Sequence, residues 1–299
     1  MGIEEDGKTV ATTAQTTGAQ PSRIASRRPL VLSIAGFDPS SGAGVTADLK
    51  VFAAHGAYGM ACVTALTAQS TLGVKAVEPV RAETVAATLR TLAEDVEFAG
   101  IKLGMLGNEA VAREVNIFLR SVPKSTIVLD PVLRSSSGRD LLDPGGVRVV
   151  REQLLARADW ITPNLDELAA LTGLAVASRE DVPPAAAKLR AMARELGNDR
   201  LHLVATGGHL AVPEDYLLTR SGESSWIRGD LVETNATHGT GCAFSSALLC
   251  RLVGGDAPLL AATQAKEYVT AALRAAYPVG RGKGPMNHLY ALDGKNPQS

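Results

Sequence analysis

Cys242 ends the run TNATHGTGC (234–242), directly ahead of AFSSALLCRLV, whose apolar spacing reads as a helix. Glycines at a helix start let backbone N–H groups approach an anion, and the helix dipole favours negative charge there. Gly239, Thr240 and Gly241 are therefore candidates to cradle a phosphate, with Cys242 at its mouth. A hydrolase would need a histidine to activate that thiol, and no placement of the five histidines argues for one. Phosphoryl transfer makes no such demand. Its transition state is loose in most analyses, so positioning and charge stabilisation dominate and an alcohol's proton can leave late. The dipole lowers a thiol's pKa while nearby phosphates raise it, so the net shift at Cys242 is open at this level. His238 reads as a structural or solvated residue.

Other polar residues follow apolar runs. Gln69, in TAQST, carries a neutral amide with a donor pair and an acceptor. That suits a heteroaromatic ring with an amino group beside a ring nitrogen better than a sugar's row of hydroxyls. A polar residue simply closing a strand is the alternative. Asp130 in VLDPV (128–132) and Glu167 in TPNLDE (162–167) could hold a hydrated magnesium. Asn164 and Glu167 also have the spacing of a reciprocal helix cap, and the two readings are compatible. GFDPSSGAGVTAD (36–48) is glycine-rich but lacks the Gly-Lys-Ser/Thr of a P-loop and the spacing of a dinucleotide fingerprint. Asp48, early in the following helix, could favour its dipole. ATGGH (205–209), with Thr206, Gly207 and Gly208, suits backbone contact with a nucleotide.

The elements that must position these residues alternate. Strands are expected at PLVLSIAG (29–36), MACVTALTA (60–68), GIKLGML (100–106), TIVLDPV (126–132), WITP (160–163) and RLHLVATGG (200–208). Helical spacing falls at 43–56, 83–95, 109–120, 146–157, 166–173, 185–197, 241–253 and 257–277, and DYLLT with SSWIR reads as a hairpin. Apolar strands separated by helices predict an α/β fold, a mostly parallel sheet covered on both faces, with ligands at the strands' carboxyl ends. Gly36, Gln69, Met105, Asp130 and Gly207 fall at those ends.

A length of 299 residues without an internal linker predicts one body domain, residues 29–290, between a polar, disordered tail (1–28) and a short C-terminal tail (291–299). The formal charge of −1 gives no reason to invoke nucleic acid or an anionic membrane, and no segment has the apolar length of a membrane span. The tail has no secretory core, and Cys62, Cys242 and Cys250 form no pairing or metal spacing, which fits the cytoplasm.

Taken in order, GFDPSSGAGVTADLK, TALTAQST, KLGML, LDPV, TPNLDE, TGGH and THGTGC resemble the hydroxymethylpyrimidine and phosphomethylpyrimidine kinases of thiamin synthesis, in the ribokinase superfamily. The likeness spans roughly residues 29–290 and implies a ribokinase-like three-layer fold. It implies ATP and Mg2+ as cofactors, a small aminopyrimidine substrate and a homodimer. By resemblance, Gly36, Asp48, Gln69, Met105 and Val132 match the ring pocket. Gly239, Thr240, Gly241 and Cys242 match the anion hole, with the cysteine beside the substrate hydroxymethyl. Asp130, Asn164 and Glu167 match the magnesium-organising positions, and the TGGH stretch the nucleotide side. Sugar kinases and most of their relatives end the GTG motif in aspartate, so the cysteine points to the pyrimidine branch. Two positions depart from the pattern: many members carry lysines where this chain has Thr206 and RSSSG (134–138), leaving Arg134 as the loop's cation. A pyridoxal kinase, or a pyrimidine sensor without catalysis, are the alternatives.

Overall fold

The computed structural model describes residues 1–2, 28–135, 137–208 and 212–295; the expected N-terminal tail lies almost wholly outside them. Among the described residues nine strands form one sheet in the order β3-β2-β1-β4-β5-β6-β7-β8-β9. They are β1 (Leu30–Phe37), β2 (Tyr58–Ser70), β3 (Gly73–Pro79), β4 (Gly100–Leu103), β5 (Thr126–Leu129), β6 (Trp160–Ile161), β7 (His202–Ala205), β8 (Glu214–Leu218) and β9 (Ser224–Arg228). The six strands from β2 through β1 and β4 to β7 run parallel, and β3, β8 and β9 add antiparallel edges.

Side-chain alternation splits the core in two. Leu32 and Ile34 of β1, Ile101 and Leu103 of β4, and Ile127 and Leu129 of β5 face one layer. That layer is built from α2 (Ala82–Asp95), α3 (Glu109–Leu119), α4 (Pro144–Val149), α5 (Leu165–Thr172) and α6 (Val182–Glu195). Val31 and Val128 face the other, with α1 (Gly44–Ala54), α7 (Thr240–Val253) and α8 (Pro258–Arg274). This is the expected three-layer α/β fold.

Two expectations need revision. The run at 60–68 is longer and less buried than predicted: β2 continues to Ser70 and alternates between exposed and half-buried beyond Ala65. Its partner β3 has no counterpart among the predicted strands. Consequently Gln69 does not end a strand; it pairs with Val74 of β3 at an irregularity in the hairpin. Leu66 and Leu72 of this hairpin are exposed, so it projects beyond the helical layers rather than being buried between them.

His202 shows how the buried strands carry polar groups. Its ring stacks on Trp160 at 4.4 Å, and its Nδ1 accepts from the Arg220 N–H at 3.4 Å. Burial, aided by the Arg220 charge, pushes its pKa down to about 4. The unfolded chain, with a histidine near ~6.5, then binds more protons than the folded one between those values. The neutral ring therefore supports the fold fully above the unfolded pKa, and that support is lost as pH falls toward about 4. We expect Tm to drop over this interval, and His202→Phe, which keeps the stack but cannot titrate, to flatten the drop. Parallel curves for the two proteins would remove His202 from the cause.

Candidate functional site

At the carboxyl end of the sheet, α7 begins at Thr240 with Gly239 as its N-cap in the left-handed region, φ 81°. A Cβ there would collide with the carbonyl oxygen of Gly42, so glycine is required both by φ and by the approach of the β1–α1 loop. That contact seats the glycine-rich 36–44 stretch against the α7 N-terminus, where the free N–H groups of the first turn lie. Gly36 meets Met105 in the same way: a Cβ would stand 2.8 Å from the Met105 sulfur. Met105, Ala65 and Leu141 form a small apolar cluster onto which the half-buried Val132 packs. The structure thus brings Gly36, Met105 and Val132 to one side of the site and Gly239, Thr240, Gly241 and Cys242 to another.

Cys242 keeps part of its surface open. Burial pushes the thiol up to about 12; the Lys102 charge opposes this, while Asp130 and Asp48 add to it. The question left open by the sequence is thereby answered: the group is a neutral thiol at physiological pH, not a thiolate.

Beneath it lies a charged cluster that the sequence reading missed. Lys102, in the centre of β4, has no exposed surface; its Nζ donates to both Asp48 oxygens at 2.9 and 3.0 Å and lies 3.8 Å from Asp130. Burial acts most strongly against the ammonium, but its anionic surroundings, Asp48 foremost and Asp130 with it, together outweigh burial and hold the pKa above the ordinary lysine range. Ser33 and Ser246 donate the remaining bonds to Asp48, at 2.6 and 2.8 Å. Asp48, expected in the ring pocket, is the fifth residue of α1 and wholly buried, so both oxygens are occupied from within the protein. It supports the floor of the site and presents no surface to a ligand.

Asp130 follows β5, accepts from Ser245 of α7 at 3.0 Å, and has its pKa raised by burial against the pull of Lys102. Glu167 is likewise buried and is pushed up to about 8, by burial first and then by the Asp130 charge. The predicted reciprocal cap is present: Asn164 Oδ1 accepts from the Glu167 N–H at 2.8 Å, and Glu167 Oε2 from the Asn164 N–H at 2.9 Å. Among the described residues no group of three or more His, Cys, Asp or Glu could hold a metal. Two buried carboxylates, the Asp130 charge raising the Glu167 pKa, suit a cation that keeps most of its waters and takes its other ligands from phosphates, which is magnesium's habit.

Thr206 continues β7 with its N–H on the Pro163 carbonyl, and the Gly207 N–H donates to Asp215 at 3.0 Å. Asp215 in turn holds Lys266 at 2.9 Å. Gly208 is exposed. Arg134, expected as the loop's cation, is mostly exposed and paired with Asp140 at 2.7 Å rather than with either carboxylate.

Gln69 reaches this site across the hairpin. Its amide lies 2.9 Å from His238 Nε2, and the same nitrogen lies 2.7 Å from Asp38. The histidine set aside as structural therefore connects the β2–β3 hairpin, the β1–α1 loop and the α7 N-terminus. Little in the sequence marks that junction beyond the position of His238 one residue before Gly239.

Comparison with known proteins shows the family. A family model described as phosphomethylpyrimidine kinase matches residues 38–287. A hydroxymethylpyrimidine/phosphomethylpyrimidine kinase of Streptomyces coelicolor is 40% identical over 88% of this chain and 96% of its own. The ADP complex of Bacillus subtilis pyridoxal kinase superposes with a TM-score of 0.80 at 30% identity, covering 89% of this chain and 99% of the other. A phosphomethylpyrimidine kinase structure from Clostridium difficile gives 0.69 at 31% identity, over 81% and 98%. With a family model and relatives that match nearly the whole body, the chain belongs to the phosphomethylpyrimidine kinase family.

Proposed function

We propose that the protein transfers the γ-phosphoryl group of ATP to the hydroxymethyl oxygen of 4-amino-5-hydroxymethyl-2-methylpyrimidine, and then a second one to the phosphate of the monophosphate. The observation that carries this reading is the 2.9 Å contact between the Gln69 amide and His238. It supports the reading because His238 immediately precedes Gly239, so the amide suited to an aminopyrimidine edge lies near the start of α7. The apolar Met105 and Val132 would flank the ring, and Cys242 would face the hydroxymethyl group.

In the first transfer the hydroxymethyl oxygen bonds to the γ-phosphorus, the bridging bond to ADP breaks, and the alcohol's proton passes late to an oxygen of the transferred phosphoryl group. With its pKa at about 12, Cys242 orients that hydroxyl as a neutral thiol and is not the base. The N–H groups at Gly239, Thr240, Gly241 and Cys242 stabilise the charge on the transferred group. Asp130 and Glu167, with Asn164 fixing the latter, would hold magnesium, which would neutralise phosphate charge when bound. Thr206, Gly207 and Gly208 would meet the nucleotide through backbone and hydroxyl groups. The reading carries with it a cytoplasmic location and a homodimer; no helix among the described residues is long and apolar enough to cross a membrane.

Gln69→Ala tests the assignment. It should raise KM for the pyrimidine by about tenfold, one lost recognition contact, with kcat and the KM for ATP little changed. An unaltered KM would remove Gln69 from recognition. A second reading is favoured by the superposition on pyridoxal kinases: pyridoxal is another heteroaromatic with a hydroxymethyl group. A kcat/KM for pyridoxal equal to or above that for the aminopyrimidine would establish it. Tight pyrimidine binding without ATP turnover would instead mark a sensor, the outcome that Thr206 in place of a cation would favour.

A further inference from the structure

His238 has one hydrogen on Nε2 and two neighbours for it. Asp38 Oδ2 is 2.7 Å away and the Gln69 amide nitrogen 2.9 Å away. Asp38 is buried and also accepts from the Ser40 N–H and hydroxyl and from the N–H groups of Gly42 and Ala43, at 2.7 to 3.2 Å. Burial opposes its charge, yet His238 and Ser40 hold its pKa below the usual carboxylate value. It is therefore an acceptor only, and Nε2 must donate to it.

That leaves Nε2 with no lone pair, so an amide nitrogen beside it would set donor against donor. The other end of the amide has the complementary fault. Thr67 Oγ1 lies 3.0 Å from the Phe37 carbonyl and 3.2 Å from Gln69 Oε1, with a single hydrogen for two acceptors. A half-turn of the amide, whose two ends are alike in shape, replaces the donor–donor clash at His238 by a shared hydrogen bond and leaves the Thr67 hydrogen a single acceptor. The oxygen then shares the single Nε2 hydrogen of His238 with Asp38, the nitrogen donates to Thr67, and the Thr67 hydroxyl donates to Phe37.

We propose that Asp38 and His238, with Thr67, are specificity-determining positioning residues: they lock the Gln69 amide with its oxygen toward His238 and thereby select the ring's hydrogen-bonding pattern. This deepens the proposed function and rests on its placing of the ring at Gln69. One N–H and one oxygen lone pair of the amide remain for the ligand. They match an exocyclic amino donor beside a ring-nitrogen acceptor. A 4-oxo ring with an N–H in the same pose would face oxygen with oxygen and N–H with N–H. Only a flipped amide could accept it, and His238 forbids the flip.

The test is kcat/KM for 5-hydroxymethyl-2-methylpyrimidines bearing 4-amino or 4-oxo groups. Wild type should prefer the amino compound by about 10³-fold or more, as sites built on paired polar groups do. His238→Leu should reduce that preference by at least about tenfold, through KM with kcat nearly constant, because both amide orientations become available. His238→Gln, which returns a donor near the same place, should restore most of it. Thr67→Val, which removes the other anchor away from the α7 loop, should weaken the preference in the same direction even if His238→Leu folds poorly. An unchanged preference in folded His238→Leu or Thr67→Val, with Gln69→Ala losing it, would overturn the lock while leaving Gln69 as the reader. Absence of turnover of either pyrimidine by wild type would overturn the substrate reading, and the lock with it.

Discussion

Replacing Lys102 by methionine should cost about 3–5 kcal/mol of folding stability and lower Tm by on the order of 10 °C. The reason is an imbalance of charge rather than a loss of packing, since methionine fills a similar volume. Lys102 is the cation that faces two carboxylates, Asp48 at 2.9 Å and Asp130 at 3.8 Å, with none of the Lys102 and Asp48 side chains exposed. Without it, Asp48 retains its bonds from Ser33 and Ser246 but no counter-charge. Removing one partner of a buried pair is far more costly than removing both. The double variant Lys102→Met with Asp48→Asn should therefore recover part of the loss, and thermal melts of the four proteins of this cycle measure the coupling. A Lys102→Met protein as stable as wild type would show that the pair contributes no net stability.

Cys242→Ala should lower kcat by about 10²-fold, the scale of a mispositioned nucleophile, while the KM for ATP stays within about twofold. A thiol whose pKa is raised to about 12 by burial is almost wholly protonated across physiological pH. Wild-type kcat should accordingly show no rise between pH 6 and 9 from thiol ionisation, and Cys242→Ser, which restores a hydrogen-bonding group, should recover more turnover than alanine. Backbone N–H groups of the α7 start are unaffected by either change, so the phosphate cradle persists. Full activity in Cys242→Ala would reduce the cysteine to packing.

The sheet's parallel centre was legible because its strands are apolar throughout and separated by 3.6-period stretches. Those signals report burial on both faces, which short sequence windows carry. The same signal hid Lys102. Within GIKLGML a single lysine leaves the apolar run intact, and its meaning comes from Asp48, 54 residues away, and Asp130. The Asn164 and Glu167 cap was readable because capping is local, three residues from partner to partner. The Gln69–His238–Asp38 junction was not, since its partners stand 169 and 200 residues apart and meet only after the sheet forms. Strand β3 escaped notice because GVKAVEP is half exposed and charged, as an edge strand tends to be. With β3 unseen, Gln69 was read as the end of a strand instead of part of a hairpin.

Product analysis after incubation with magnesium-ATP and the free hydroxymethylpyrimidine tests the central claim most directly. The account predicts ADP and the pyrimidine monophosphate first, followed by the diphosphate. ADP formation without any phosphorylated pyrimidine, or phosphorylation of pyridoxal alone, would contradict it.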